Sequence, residues 1–104
     1  VVVKVILETS YLTPDQIVTA CTLAQAAGAD FVKTSTGFAE GGGGATPEAV
    51  DLMLKTVGTT MRVKASGGIR SWDIAVGYLN QGCARLGVGS TEAILDGAKT
   101  DEQY

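Results

Sequence analysis

The 104-residue sequence predicts an α/β domain of four βα units on a parallel sheet, and three observations carry that prediction. Short apolar, β-branched runs recur at Val1 to Leu7, at Phe31-Val32 before Lys33, at Met61 to Val63 before Lys64 and at Arg85 to Val88. A helical signal with its own start follows each of them. The spacing is regular, with 29 residues from Lys4 to Lys33, 31 from Lys33 to Lys64 and 24 from Lys64 to Val88. Strands that are apolar on both faces and joined by helices form parallel sheets, either doubly wound or closed into a barrel. Eight such units in roughly 250 residues make a (β/α)8 TIM barrel, so four amount to one half of it.

The first strand, Val1 to Leu7, is interrupted only by Lys4. Side chains alternate along a strand, which puts Lys4 and Glu8 on one side, where a structural ion pair is expected. The first helix opens on Thr13-Pro14-Asp15, a cap and then proline in the first turn, runs through Ile17, Ala20, Leu23, Ala24 and Ala27, and stops at Gly28. The second opens on Thr46-Pro47-Glu48 and carries Val50, Leu52, Met53, Leu54 and Val57 to Gly58. Ser71-Trp72-Asp73 opens the third, with Ile74, Ala75, Tyr78 and Leu79 before Gly82, and Trp72 is expected to pack. A short fourth helix is expected from Thr91 to Leu95. The run Gly41 to Gly44 is either a substrate flap or a tolerant loop.

The composition suits one domain spanning 1–104. With 45% hydrophobic and 18% charged residues, 14 Gly and 2 Pro, disorder and fibrous repeats are excluded. A chain of this length buries about two thirds of the surface it exposes when unfolded, enough for a core without staples. Eight Lys+Arg against 11 Asp+Glu give a net charge of -3, which argues against nucleic acid or an anionic membrane as partner. No apolar stretch approaches the roughly 18 residues of a membrane span. Cys21 and Cys83 read as reduced, structural thiols, and with no signal or transit peptide at the start the expected location is cytoplasmic. The absence of an initiator Met predicts a trimmed or sub-cloned chain. The sequence has no His, which removes the usual general base, the Ser-His pair and the commonest metal ligand together. Catalysis then falls to Lys, Asp, Glu, Tyr or backbone groups.

Polar, Gly-rich segments end three of the strands: Thr34-Ser35-Thr36-Gly37, Ala65-Ser66-Gly67-Gly68 and Gly87-Val88-Gly89-Ser90. In a barrel such tips line the active-site face. One Gly-Gly read alone is a tight turn, but two consecutive Gly-rich tips ahead of helix N-termini suit a phosphate. Lys33 and Lys64 sit at the C-terminal ends of consecutive apolar strands, where they either snorkel to solvent or meet in a barrel mouth. Repulsion between paired ammonium groups, with desolvation, brings a lysine from about 10.4 to roughly 7 to 8 and yields an amine able to form a Schiff base.

Phe-Val-Lys-Thr-Ser-Thr-Gly at 31–37, Val-Lys-Ala-Ser-Gly-Gly-Ile-Arg at 63–70 and Lys-Val-Ile-Leu-Glu-Thr at 4–9 together resemble deoxyribose-phosphate aldolases, class I aldolases on a (β/α)8 barrel. The resemblance extends to Ala-Gly-Ala-Asp at 27–30 and Arg-Leu-Gly-Val-Gly-Ser at 85–90, and it covers the family's strands five to eight. It implies that Lys33 is the Schiff-base lysine and that Lys64 is the second lysine, which favours the neutral amine of the first and assists proton transfer. It also implies that Thr36 lies in the pocket, that Gly37, Gly67, Gly68, Gly89 and Ser90 surround the substrate phosphate with Arg70 nearby, and that Tyr104 matches the terminal tyrosine that some members carry on a tail reaching the site, a solvated tail after Lys99 being the other reading. The implied reaction is reversible cleavage of 2-deoxy-D-ribose 5-phosphate to D-glyceraldehyde 3-phosphate and acetaldehyde, without metal or organic cofactor. The family's catalytic aspartate belongs to the first half of its barrel and has no match here. Either that half or a second copy, in a homodimer, is therefore the expected partner; a catalytically silent half-barrel that self-associates and binds phosphate is the alternative.

Overall fold

Four parallel strands form one sheet in chain order, β1 (Lys4–Ile6), β2 (Phe31–Lys33), β3 (Arg62–Ser66) and β4 (Arg85–Gly87). The computed structural model describes residues 1–38, 43–89, 91–95 and 97. Helices α1 (Pro14–Ala26), α2 (Pro47–Val57), α3 (Trp72–Gln81) and the short α4 (Thr91–Leu95) follow the strands in turn, with a 3-10 turn at Thr9–Tyr11 after β1. A doubly wound sheet reverses its strand order at a switch point, whereas here each unit adds its strand beside the last. This unreversed order is that of half a (β/α)8 barrel.

The helices begin where their sequences provide caps. Thr13 and Gln16 form a reciprocal capping box on α1, the Thr46 hydroxyl accepts from Ala49 N–H at 3.1 Å on α2, and Ser71 does the same for Ile74 N–H at 3.2 Å on α3. Pro14 and Pro47 occupy first-turn positions where no amide partner is lost. Gly82 ends α3 at φ 121°, backbone that a residue with a Cβ rarely adopts.

The core lies between the sheet and the helices. Val32, Val63 and Ala65, from the helix-facing side of the strands, join Ile17 and Cys21 of α1, Val50, Met53 and Val57 of α2, and Ala75 and Tyr78 of α3 in one buried cluster. Cys21 and Cys83 are buried free thiols inside it, and burial pushes both up to about 11.

Several expectations shift. β1 is shorter than the run Val1 to Leu7, because β1 has a neighbour on one side only; Val3 is nonetheless tied to Asp30, donating to its carboxylate at 2.8 Å and accepting from the Asp30 and Phe31 amides. β3 continues through Ala65 and Ser66, so Lys64 is a mid-strand residue and only Lys33 ends its strand. Trp72 is 46% exposed at the start of α3 instead of packed. Residues Gly41, Gly42, Ser90 and Tyr104 lie outside the described residues. Among the described residues no helix is long and apolar enough to cross a membrane.

Candidate active site

Register brings the two lysines together. Lys33 pairs with Lys64 across β2 and β3, so their Cα atoms stand about 4.8 Å apart on adjacent parallel strands and their side chains leave the same face. Both are half-buried. The backbone holds them in a ladder: Leu7 N–H donates to the Lys33 carbonyl at 2.9 Å and Thr34 N–H to the Lys64 carbonyl at 3.1 Å.

Directly beyond the lysines the strand tips are locked by buried hydroxyls. Thr34 Oγ1 donates to the Ser66 carbonyl at 2.8 Å and accepts from Ser66 N–H at 3.0 Å, while Ser66 Oγ donates to the Ser35 carbonyl at 2.6 Å. All three residues are fully buried, so these bonds are shielded from water and fix β2 against β3 at the level of the lysines. Thr36 is held from the other side, its N–H and hydroxyl both donating to the Glu8 carboxylate. Glu8 therefore serves Thr36 where an ion pair with Lys4 was expected; the chain leaves the strand after Ile6, and alternation no longer applies at position 8. The Lys4 ammonium instead lies over the Phe31 ring, 5.7 Å from its centre, and the Arg85 guanidinium lies over the same ring at 4.7 Å.

The glycine tips meet closely. Gly67 and Gly68 have φ of 84° and 75°, and a Cβ on Gly44 would stand 2.6 Å from the Gly67 carbonyl oxygen. Ala45 N–H donates to both the Ser66 and Gly67 carbonyls. The segment after β2 is thus docked on the tip of β3 through a backbone contact that only glycine permits. A cavity of about 350 Å3 opens beside it, lined by Thr9, Ser10, Gly44, Thr46, Gly68 and Arg70 among others. Of the expected site residues, Lys33, Thr36, Gly37, Gly67 and Gly68 lie at or just beyond the C-terminal ends of β2 and β3, Lys64 stands in mid-β3 beside Lys33, and Arg70 reaches the cavity. Gly89 follows β4, whose Gly87 pairs with Ser66.

Sequence reasoning missed Glu8 as a partner of Thr36, the close approach of Gly44 to Gly67, and the buried Thr9 and Ser35 hydroxyls, which have no hydrogen-bond partner among the described residues. A carboxylate one residue past an apolar run and a glycine run after a polar tip were the available signals.

The sheet face away from the helices is strongly basic. Lys4, Lys33, Arg62, Lys64 and Arg85 all project there, five of the eight Lys and Arg of the chain, and among the described residues no strand position carries a carboxylate.

Comparison with known proteins supplies the remaining findings. A family model described as DeoC/LacD family aldolase matches residues 4–76. A deoxyribose-phosphate aldolase of Streptococcus suis is 54% identical over 102 residues, which covers 98% of this chain and 46% of that protein. One of Carboxydothermus hydrogenoformans is 56% identical over 104 residues, 100% of this chain and 45% of that protein. Among solved structures, QR15, an aldolase, superimposes with a TM-score of 0.83 at 43% identity, over 89% of this chain and 41% of its own. The tetrameric deoxyribose phosphate aldolase from Aeropyrum pernix does so with 0.78 at 38% identity, over 91% and 40%. The chain spans a little under half the length of the curated relatives it matches.

Proposed function

From the chain's membership of the DeoC/LacD aldolase family, to which it belongs, we propose that it is the C-terminal half of a deoxyribose-phosphate aldolase, cleaving 2-deoxy-D-ribose 5-phosphate reversibly through a lysine Schiff base. The observation that carries this reading is the in-register pair Lys33 and Lys64 on one face of the sheet.

The chemistry follows from that pair. The Lys33 amine attacks the C1 aldehyde, and loss of water leaves an iminium. When a base takes the proton of the C3 hydroxyl, the C2–C3 bond breaks, its electron pair moves into the iminium to give an enamine, and D-glyceraldehyde 3-phosphate departs. Protonation at C2 and hydrolysis then release acetaldehyde and restore the amine. Lys64, one strand away, serves the proton transfers. The Gly67-Gly68 tip, Gly37, Gly89 and Ser90 receive the phosphate with Arg70 nearby, since backbone N–H groups approach an anion most closely where no Cβ intervenes. Tyr104 is proposed to reach the same mouth. No step calls for a metal or organic cofactor. As such an enzyme the protein would serve deoxyribonucleotide catabolism in the cytoplasm.

The basic inner face favours one of the two expected partners. A second copy would set another five cations against these, whereas a complementary four-stranded half bearing inward carboxylates would neutralise them. Association with an N-terminal half is therefore favoured over a homodimer.

Borohydride reduction of the chain with 2-deoxyribose 5-phosphate or acetaldehyde, followed by peptide mass spectrometry, tests the assignment. A reduced adduct on Lys33, absent in Lys33→Ala, is expected. No adduct, or one spread over surface lysines, even with the complementary half added, would leave a silent half-barrel that binds phosphate.

A further inference from the structure

Among the described residues one non-glycine residue has positive φ: Glu8, at φ 57° and ψ 62°. Left-handed backbone is disfavoured for a residue with a Cβ, and Gly or Asn meets such a turn more readily. Strain of this kind persists where the surroundings hold it, and it points toward a role for the residue that bears it.

What Glu8 does with its side chain is clear. Its two carboxylate oxygens accept the Thr36 N–H at 3.2 and 3.3 Å, and Oε2 accepts the Thr36 hydroxyl at 2.6 Å, a short charge-assisted bond. The Thr36 oxygen in turn accepts Phe38 N–H at 3.2 Å. The backbone on either side of Glu8 is sewn to the tip of β2, Leu7 N–H to the Lys33 carbonyl and Thr9 N–H to the Thr34 carbonyl, both at 2.9 Å. Glu8 is half-buried, so water competes only in part for these bonds.

We infer that Glu8 is a positioning residue of the proposed site, its carboxylate holding the Thr36-Gly37 turn that follows Lys33 in one conformation against the tip of β1. The inference rests on the reading of Lys33 as the Schiff-base lysine. It carries a consequence for the substrate: both Thr36 donors are occupied by a carboxylate, so the phosphate finds its donors at Gly37 and on the Gly67-Gly68 and Gly89 side instead of at Thr36. Thr36 contributes a fixed wall, not an anion contact.

The test uses Glu8→Gly, which relieves the backbone strain and deletes the carboxylate, Glu8→Gln, which keeps one oxygen acceptor, and Thr36→Val, which removes the hydroxyl from the other side. Backbone hydrogen exchange at residues 34–37 and the rate of borohydride-trapped adduct on Lys33 are read in each. In Glu8→Gly, exchange at Thr36 should rise and Lys33 trapping should slow, each by about tenfold, the equivalent of one lost hydrogen bond, while exchange in α1 and α2 stays unchanged. Glu8→Gln should recover most of both, and Thr36→Val should slow trapping in the same direction. If Glu8→Gly leaves Thr36 exchange and Lys33 trapping at wild-type values, or if Glu8→Gln rescues nothing, Glu8 merely turns the chain and the inference falls. The two readings separate cleanly, because exchange at Thr36 that follows the Glu8 substitutions upholds the clamp even if no Lys33 adduct forms in the parent chain, an outcome that overturns the aldolase assignment alone.

Discussion

The two faces of the sheet are made by alternate residues of the same short strands, and they have opposite characters. Toward the helices project Val5, Val32, Val63, Ala65 and Leu86, all in or against the buried cluster. Toward the open side project Lys4, Lys33, Arg62, Lys64 and Arg85, with the Phe31 ring in contact with Lys4 and Arg85. A three-residue strand such as Phe-Val-Lys thus contributes one side chain to stability and two to the other face. The period of two lets the stabilising layer and the face of the proposed chemistry change independently, so substitutions on one face should leave the other's property intact.

The largest effect expected is Lys33→Ala, which removes the proposed nucleophile. Adduct formation should be abolished, while the thermal midpoint moves by little because the lysine does not belong to the buried cluster. A midpoint that collapses with the adduct would show that the reactive face also holds the fold.

On the other face Met53→Ala should do the reverse. Met53 is fully buried on α2, and truncating a buried Met costs about 2–5 kcal/mol, on the order of 10 °C or more for a domain of this size. Lys33 trapping, measured below the lowered midpoint, should stay near the parent rate. Urea melts and trapping on the same samples check both halves of the claim.

Gly44→Ala strikes where the two layers meet. The added Cβ would stand 2.6 Å from the Gly67 carbonyl oxygen, so one backbone segment must move. A cost of about 1–3 kcal/mol is expected from such overpacking, with loss of the phosphate binding proposed for the Gly67-Gly68 tip. Unchanged melting and unchanged phosphate binding would show that the tips do not depend on each other.

How much of this was legible in the sequence follows the range of the forces involved. Thr13, Thr46 and Ser71 act on amides three residues away, so the helix starts at Pro14, Pro47 and Trp72 could be read locally. The two lysines could be seen as a pair by spacing, yet their register is set by pairing across strands, and the extension of β3 past Lys64 depends on Ala65 and Ser66 being small enough for burial between neighbours. Glu8 was misassigned because alternation was carried past the end of β1; its left-handed backbone and its bonds to Thr36 come from a segment 28 residues away. The contact between Gly44 and Gly67 is likewise tertiary. Local signals delivered the elements, and long-range packing decided how the site is clamped.

The smallest effect concerns the dryness of the helix-facing layer, which the thiols report. Cys21 and Cys83 lie in the buried cluster, and desolvation pushes each from about 9 up to about 11. In the unfolded chain the thiols ionise near 9, whereas the folded chain keeps them protonated until about 11. Between those values the unfolded state binds fewer protons than the folded one, so stability falls as pH rises through this window and is fully present below pH 9. The loss should be on the order of 1–2 kcal/mol per thiol by pH 11, before lysine and tyrosine ionisation contribute. Urea melts at pH 8 and pH 10.5 on the parent and on Cys21→Ala/Cys83→Ala isolate the thiol share, since only the parent should show the steeper decline. Equal declines would mean that water reaches the thiols, and that the two faces differ less in polarity than their sequences do.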